Sequence, residues 1–371
     1  MPTSPFALRA TRPRSRAVEN LGRRGRRVGL DGVLAALDHA GRACEVPGEA
    51  AGDGFTWDAA DSVDPRWWPQ GVAATRSGAV VLVGWYAKRR RLRTKGSRIS
   101  VVDRTDPDRP RYGHVLLVTA RRPLRLLSLR AVPVHAGGIA VLGDLLYVAD
   151  TLAGVRVFRL GDITEVPPRR LDALLPWAGA GTRTLGRRPT GGLTTYGYRF
   201  VLPELLRLRV PATANAARLR RGTPSAPLRY SFLFIGDVDG RLSLVVGEYG
   251  RKGTTPRLAR YPLDPATGLP QVGDDGTCPP LEVHEHQPLR MQGVAVHGST
   301  WYVTASAGKG NPGDLYVGAP GAFRRHRAVL PTGPEDLDWS VPGRELRCAT
   351  EWPGHRYVFA VEASRWSGPA R

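Results

Sequence analysis

Three features of the sequence predict an all-β chain of repeated small sheets. Residues 291–303, "MQGVAVHGSTWYV", repeat the layout of 136–148, "AGGIAVLGDLLYV": a Gly, a β-branched/Ala alternation, a second Gly and a closing Tyr-Val. Short strands rich in Val, Ile, Tyr and Phe, punctuated by Gly, are β signals. The chain also carries 44 Gly and 32 Pro, which suits short elements joined by turns rather than long helices.

The repeat can be followed further. After Val148 come "AD", a loop and "GVRVFRL" at 154–160, and after Val303 come a loop and "DLYVG" at 314–318. Residues 70–83, "QGVAATRSGAVVLV", match with two extra residues in the turn, and "RISVVD" at 98–103 supplies a third strand. Residues 335–348, "EDLDWSVPGRELRC", carry the same insertion before "RYVFAVE" at 356–362. A less regular unit runs through "SFLFIGDVDG" at 231–240, "RLSLVVGEY" at 241–249 and "RLARYPLD" at 257–264. Five units of three strands, each with room for a fourth, predict a β-propeller, whose radial sheets protect one another's edges. Five blades are expected. Six are the alternative, with "TTYGYRFVLPELLRLRV" near 190–212 as the place for a hidden one.

Residues 1–54, basic at Arg23, Arg24, Arg26 and Arg27, read as a disordered tail, and 55–371 as a single propeller domain. The tail's modest apolar stretch is interrupted by Asp31, Asp38 and His39, so it fails as a secretory core segment. No run approaches the roughly 18 apolar residues needed to span a membrane.

The chain has 54 Lys and Arg against 33 Asp and Glu, a net charge of +21. Nearly all the basic residues are Arg, Lys standing only at 88, 95, 252 and 309, which is the bias of a GC-rich genome. The excess is spread along the chain, and paired basic and aromatic RNA-binding signatures are absent, so nucleic acid is not an expected partner. "KRRRLRTK" at 88–95 reads as a solvated loop, with phosphate or a membrane face as the alternative. A monomer is expected.

Cys44, Cys278 and Cys348 show no metal spacing, which leaves one disulfide plus a thiol or three thiols, and Cys348 reads as a core residue. "EVHEHQ" at 282–287 places His284, His286 and Glu282 close in sequence but lacks the helical zinc spacing. There is no Gly-x-Ser-x-Gly elbow, and the Gly-rich 178–192 lacks the Lys-Ser/Thr of a phosphate loop.

The order of "WPQGVA", "YGHVLLV", "VPVHAGGIA", "DLLYVADT", "YGYRFVLP", "LVVGEYG", "PLDPATGLP", "MQGVAV", "GPEDL" and "HRYVFAV" resembles a group of secreted or hypothetical actinobacterial proteins over about 60–362. That resemblance implies an exported or envelope location. More distantly, the unit is similar to NHL-repeat and gluconolactonase/strictosidine-synthase-like propellers, at the level of fold alone.

In a propeller the residue before the shared Gly points near the axis. Those positions are Gln70, Gly137, Gln292 and Glu335, with Asp336 at the Gly position of the last unit and His135 nearby. A second ring is expected where the second strands end: Trp85, Asp150, Glu248, Ala305 and Thr350 followed by Glu351. Tyr198, Tyr196 and Trp85 are expected to wall a pocket there. Carboxylate and amide oxygens gathered on an axis suit a hard divalent cation such as Ca2+, and Asp150, Glu248, Glu335 and Asp336 are its expected ligands. The gluconolactonase resemblance implies such a cation polarising a substrate carbonyl, but no position matches that family's ligands one by one. The alternative for each residue is a purely structural hydrogen bond. The expected function is non-catalytic binding of a small molecule, glycan or protein. The alternative is a cation-dependent hydrolase or lactonase acting in the channel.

Overall fold

A computed structural model describes residues 4–89, 94–121, 126–166, 184–187, 192–210, 227–340 and 345–367. Strands dominate, and five four-stranded units can be traced among these residues. The first comprises Trp67–Ala74, Val80–Ala87, Ser97–Asp103 and Arg111–Arg121. The second comprises Ile139–Leu142, Leu145–Asp150, Gly154–Arg159 and Phe200–Arg209. The third comprises Phe232–Val238, Arg241–Gly247, Leu258–Pro262 and Glu282–His284. The fourth comprises Met291–His297, Thr300–Ala305, Pro312–Gly318 and Arg324–Thr332. The last comprises Pro334–Ser340, Glu345–Thr350, Tyr357–Glu362 and, from far upstream, Gly54–Thr56. The innermost strands touch their neighbours in sequence order, and the last touches the first, so the ring is closed. This is a β-propeller.

Closure explains the Gly of the repeat. A Cβ on Gly71 would lie 2.7 Å from the Ile139 nitrogen, one on Gly138 2.3 Å from the Leu233 nitrogen, and one on Gly293 2.5 Å from the Asp336 Cα. Each inner strand thus leans its glycine on the backbone of the next, an approach that a side chain forbids. The last unit has Asp336 at this position. Its Oδ2 accepts from the Val72 N–H at 3.2 Å and the Ile139 N–H at 3.0 Å, so one side chain joins three units. Apolar side chains such as Phe232, Val294, Val303, Leu337 and Phe359 fill the spaces between sheets.

One expectation is corrected. The segment read as a disordered tail is ordered from residue 4 and packed on the sheets. Its helix Ser15–Arg24 buries Val18 and Leu21, Leu8 exchanges backbone hydrogen bonds with Cys278, and Arg42–Cys44 adds a strand beside Gly54–Thr56. The apolar residues at 8, 18, 21 and 33 are spaced too irregularly to stand out beside so many arginines, yet each is buried. In the stretch near 190–212, the place offered for a sixth blade, Leu193–Thr195 pairs with Leu185–Arg187 in a two-stranded sheet, while Phe200–Arg209 is the outer strand of the second unit and runs parallel to Arg111–Arg121 of the first. Cys278 and Cys348 are buried and Cys44 half-buried, all three as free thiols. Residues 90–93 of the basic 88–95 loop and most of the Gly-rich 178–192 segment lie outside the described residues.

Candidate functional site

A cavity of about 730 Å3 opens on the axis at the face where the inner strands begin. Its floor is built by a repeated irregularity. The register slips between Pro69 and Val72, between Met291 and Gly293, and between Pro334 and Leu337. A bulge at the same place in three units turns Gln70, Gln292 and Glu335 toward the axis. Gln70 Nε2 donates to Glu351 Oε2 at 3.0 Å, and Gln292 Nε2 donates to Glu335 Oε1 at 3.1 Å. The floor is therefore two amide–carboxyl pairs.

The walls are aromatic. Trp68, Tyr86 and Trp352 line them, and His135 stacks on Tyr86 with ring centroids 4.1 Å apart. His135 is open to the cavity but ringed by protein, and that burial pushes its imidazole down to about 4. At the mouth stand Lys88, Arg229, Arg251, Lys252 and Arg290. Lys88 Nζ lies 3.1 Å from the centroid of Trp68.

The floor carboxyls resist ionisation. Burial, followed by the charges of Glu351 and Asp336, pushes Glu335 well above the usual carboxyl range. Burial pushes Glu351 up to about 7, against the opposing pull of Gln70 and Lys88. Asp336, behind the floor, is raised by burial despite its backbone hydrogen bonds, and its Oδ1 has no hydrogen-bond partner.

Of the positions expected on the axis, Gln70, Gly137, Gln292 and Glu335 line the cavity, as do His135 and Glu351. The others go elsewhere. Trp85 is fully buried and donates its Nε1–H to Ser100 Oγ at 2.8 Å, while Tyr86 takes the cavity wall. Asp150 is held by Arg156 at 2.8 Å and Thr151 lines the cavity instead. Glu248 is gripped by Arg257 at 2.8 and 2.9 Å, and Tyr249 lines the cavity. Ala305 yields to Ser306 in the same way. The expected second ring is one residue short in each case, and side chains alternate faces along a strand, so the error exchanges core for cavity. Tyr198 lies outside the cavity, its hydroxyl 3.3 Å from Arg98 Nη1.

The expected cation ligands do not form a site. Arg156 and Arg257 hold Asp150 and Glu248, Asp336 Oδ2 is turned to backbone N–H groups, and Gln292 holds Glu335. Five cationic side chains at the mouth oppose a metal ion further. The donors on the axis do not fit Ca2+, which needs six or more converging oxygens.

Among the described residues one trio of metal-type donors lies within 4.8 Å: His39, Asp61 and His114. It sits behind the first sheet, and the sequence hid it because its members are far apart and His39 belongs to the supposed tail. Asp58 caps the short helix Ala59–Val63 and accepts the Asp61 N–H, which turns Asp61 inward. Asp61 then receives Arg98 at 2.6 Å on Oδ1, and Tyr112 at 2.8 Å and His114 at 2.9 Å on Oδ2. Burial alone would raise Asp61, but His114 and Arg98 outweigh it and hold the carboxylate ionised. With its donors taken and Arg98 beside it, the cluster is satisfied without a metal. In "EVHEHQ" His284 Nε2 lies 3.2 Å from Glu282 Oε2, and Glu282 also accepts from Arg260 Nη1 at 3.0 Å.

No protein-family model matches the chain and no curated protein does. Solved structures with the same kind of fold include a gluconolactonase from Xanthomonas campestris, 12% identical with a TM-score of 0.36, covering 88% of this chain and 89% of that one. A family-43 glycoside hydrolase from Xanthomonas citri is 10% identical with a TM-score of 0.39, covering 93% and 92%. The propeller domain of Cps50 (Swd1) from Myceliophteria thermophila is 13% identical with a TM-score of 0.35, covering 79% and 83%. Likenesses this distant carry no functional argument.

Proposed function

We propose that the protein is a binding propeller that holds a small hydroxylated molecule in its axial cavity. The carrying observation is the floor: Gln70–Glu351 and Gln292–Glu335 present amide and carboxyl groups at the base of an aromatic-walled pocket. Hydroxyl groups both donate and accept, and a mixed amide and carboxyl floor answers both. Trp68, Tyr86 and Trp352 suit the apolar face of a ring, in line with pockets whose few polar groups fix orientation. The resemblance to secreted actinobacterial proteins supports an envelope setting for that ligand. A thermal-shift screen of mono- and disaccharides on the full chain tests this. Stabilisation by at least one sugar is expected, and its loss in Glu335→Ala. A hit that persists in that variant, or no hit at all, sinks the reading.

A second reading is hydrolysis without a metal. It is favoured by Glu351, a carboxyl raised to about 7 at the cavity floor beside a second raised carboxyl, Glu335. Such a group can donate a proton at neutral pH. Turnover of a glycoside, ester or lactone panel that disappears in Glu351→Gln would establish it. Among the described residues the cavity gathers no donor set for a cation-dependent version.

A further inference from the structure

We infer, on the footing that the axial cavity is the binding site, that its ligand is anionic: a hydroxylated ring carrying a carboxylate or phosphate that faces the mouth. Lys88, Arg229, Arg251, Lys252 and Arg290 meet at one opening. Several arginines elsewhere are matched with carboxylates, as in Arg98–Asp61, Arg257–Glu248, Arg156–Asp150 and Arg325–Asp314, and the buried Arg356 is satisfied by backbone carbonyls. Among the described residues none of the five at the mouth is in an ion pair. The two carboxyls below them are engaged with amides rather than with these cations. The cavity is thus positive at its mouth and hydrogen-bonding at its base.

The mouth is also built. Lys88 rests on the Trp68 ring, and Arg251 lies 5.7 Å from the Tyr249 centroid, so aromatic faces hold two of the cations. The Arg229 N–H donates to Glu248 Oε1 at 2.8 Å. Arg290 is fastened more firmly. Its N–H donates to the Gly250 carbonyl at 2.8 Å and its own carbonyl accepts from Ser306 at 3.1 Å, which ties the third unit to the fourth. Its φ of +63° is a costly conformation for a residue with a side chain, and Ala136, beside the cavity residues His135 and Gly137, has a φ of +53°. Strain of this kind collects at functional sites because surrounding structure must hold it in place. Cations over a hydrogen-bonding floor select an anion by charge and a ring by its hydroxyls, and arginine is suited to both carboxylate and phosphate.

Calorimetric titration of the full chain with three probes tests this: glucuronate, glucose 6-phosphate and methyl glucoside. At low salt one or both anions are expected to bind about tenfold or more tightly than the neutral sugar, as charge-assisted hydrogen bonds would give. That advantage is expected to collapse in Arg251→Gln/Arg290→Gln and to shrink as NaCl is raised. Preference between glucuronate and the phosphate ester identifies which anion the mouth takes. Equal affinity for charged and neutral sugars overturns the anionic assignment and leaves the cavity reading standing. Binding of the anions unchanged in the double variant overturns it too. If none of the three binds, the cavity reading fails and this assignment with it.

Discussion

Gln70 and Glu351 meet through one hydrogen bond, Nε2 to Oε2 at 3.0 Å, at the seam where the first unit of the ring touches the last. That bond favours the ionised carboxylate, yet burial outweighs it and raises Glu351 to about 7 from an ordinary 4.5. A carboxyl raised on folding binds its proton more tightly in the folded state. The stability it contributes is complete below pH 4.5 and is lost as pH rises through about 7. Glu351→Gln keeps an acceptor and removes the ionisation. The variant is expected to match the parent near pH 4.5 and to exceed it by about 1–3 kcal/mol at pH 8, read from urea unfolding at both pH values. An equal effect at both would show that Glu351 is not buried as described.

His114 works in the opposite limb. Burial, followed by the charge of Arg98, lowers its imidazole from 6.5 to about 4. The unfolded chain therefore takes up a proton first as pH falls. Stability is complete above pH 6.5 and declines toward pH 4. His114→Gln is expected to lose stability at neutral pH, because Asp61 and Ser100 lose a partner at 2.9 Å each. Its melting temperature should then fall less steeply than the parent's over the same range. A slope unchanged from the parent would remove His114 from the account.

Gly293→Ala tests the packing of the ring. The new Cβ would lie 2.5 Å from the Asp336 Cα and the Leu337 nitrogen, both backbone atoms that cannot swing aside. A loss of about 3 kcal/mol is expected, at the upper end of ordinary overpacking. Gly273→Ala is the control, since nothing lies within 3.9 Å of its added Cβ. Comparable losses in the two would mean that close approach is not the reason for the repeated glycine.

Millimolar Ca2+ is expected to leave the melting temperature of the full chain where EDTA leaves it. A cation bound only to the folded state at a hundredfold excess over its dissociation constant would add about 2.7 kcal/mol, which a melting curve resolves easily. A rise of several degrees that Glu335→Gln abolishes would place a cation in the channel after all.

Much of this molecule can be read from its sequence because the repeat is physical. Gly71, Gly138 and Gly293 recur for one steric reason, and the residue before each is carried to the axis with it. That is why Gln70, Gln292 and Glu335 could be placed together from residues far apart. Counting along the second strands failed, because a difference of one residue decides whether Trp85 or Tyr86 meets the cavity. The arginines that neutralise Asp150 and Glu248 were invisible for another reason. In a chain so rich in arginine, sequence does not say which guanidinium reaches which carboxylate. The contacts of His39 and Arg14 were equally hidden, since Arg14 meets Glu204 at 3.1 Å across long sequence separation.

The last sheet takes its outer strand from upstream: Thr56 Oγ1 bonds the Arg356 carbonyl 300 residues away, and Phe55 pairs with Val358. A ribosome making this protein therefore releases one half of a clasp long before the other half exists. Until residue 357 has emerged, Gly54–Thr56 has no neighbour on that side, and the ring stays a horseshoe with an open sheet edge. Pairings that span so much chain form slowly. The nascent chain thus has a period of exposure in which a chaperone, or another copy's unpaired edge, can occupy the gap first.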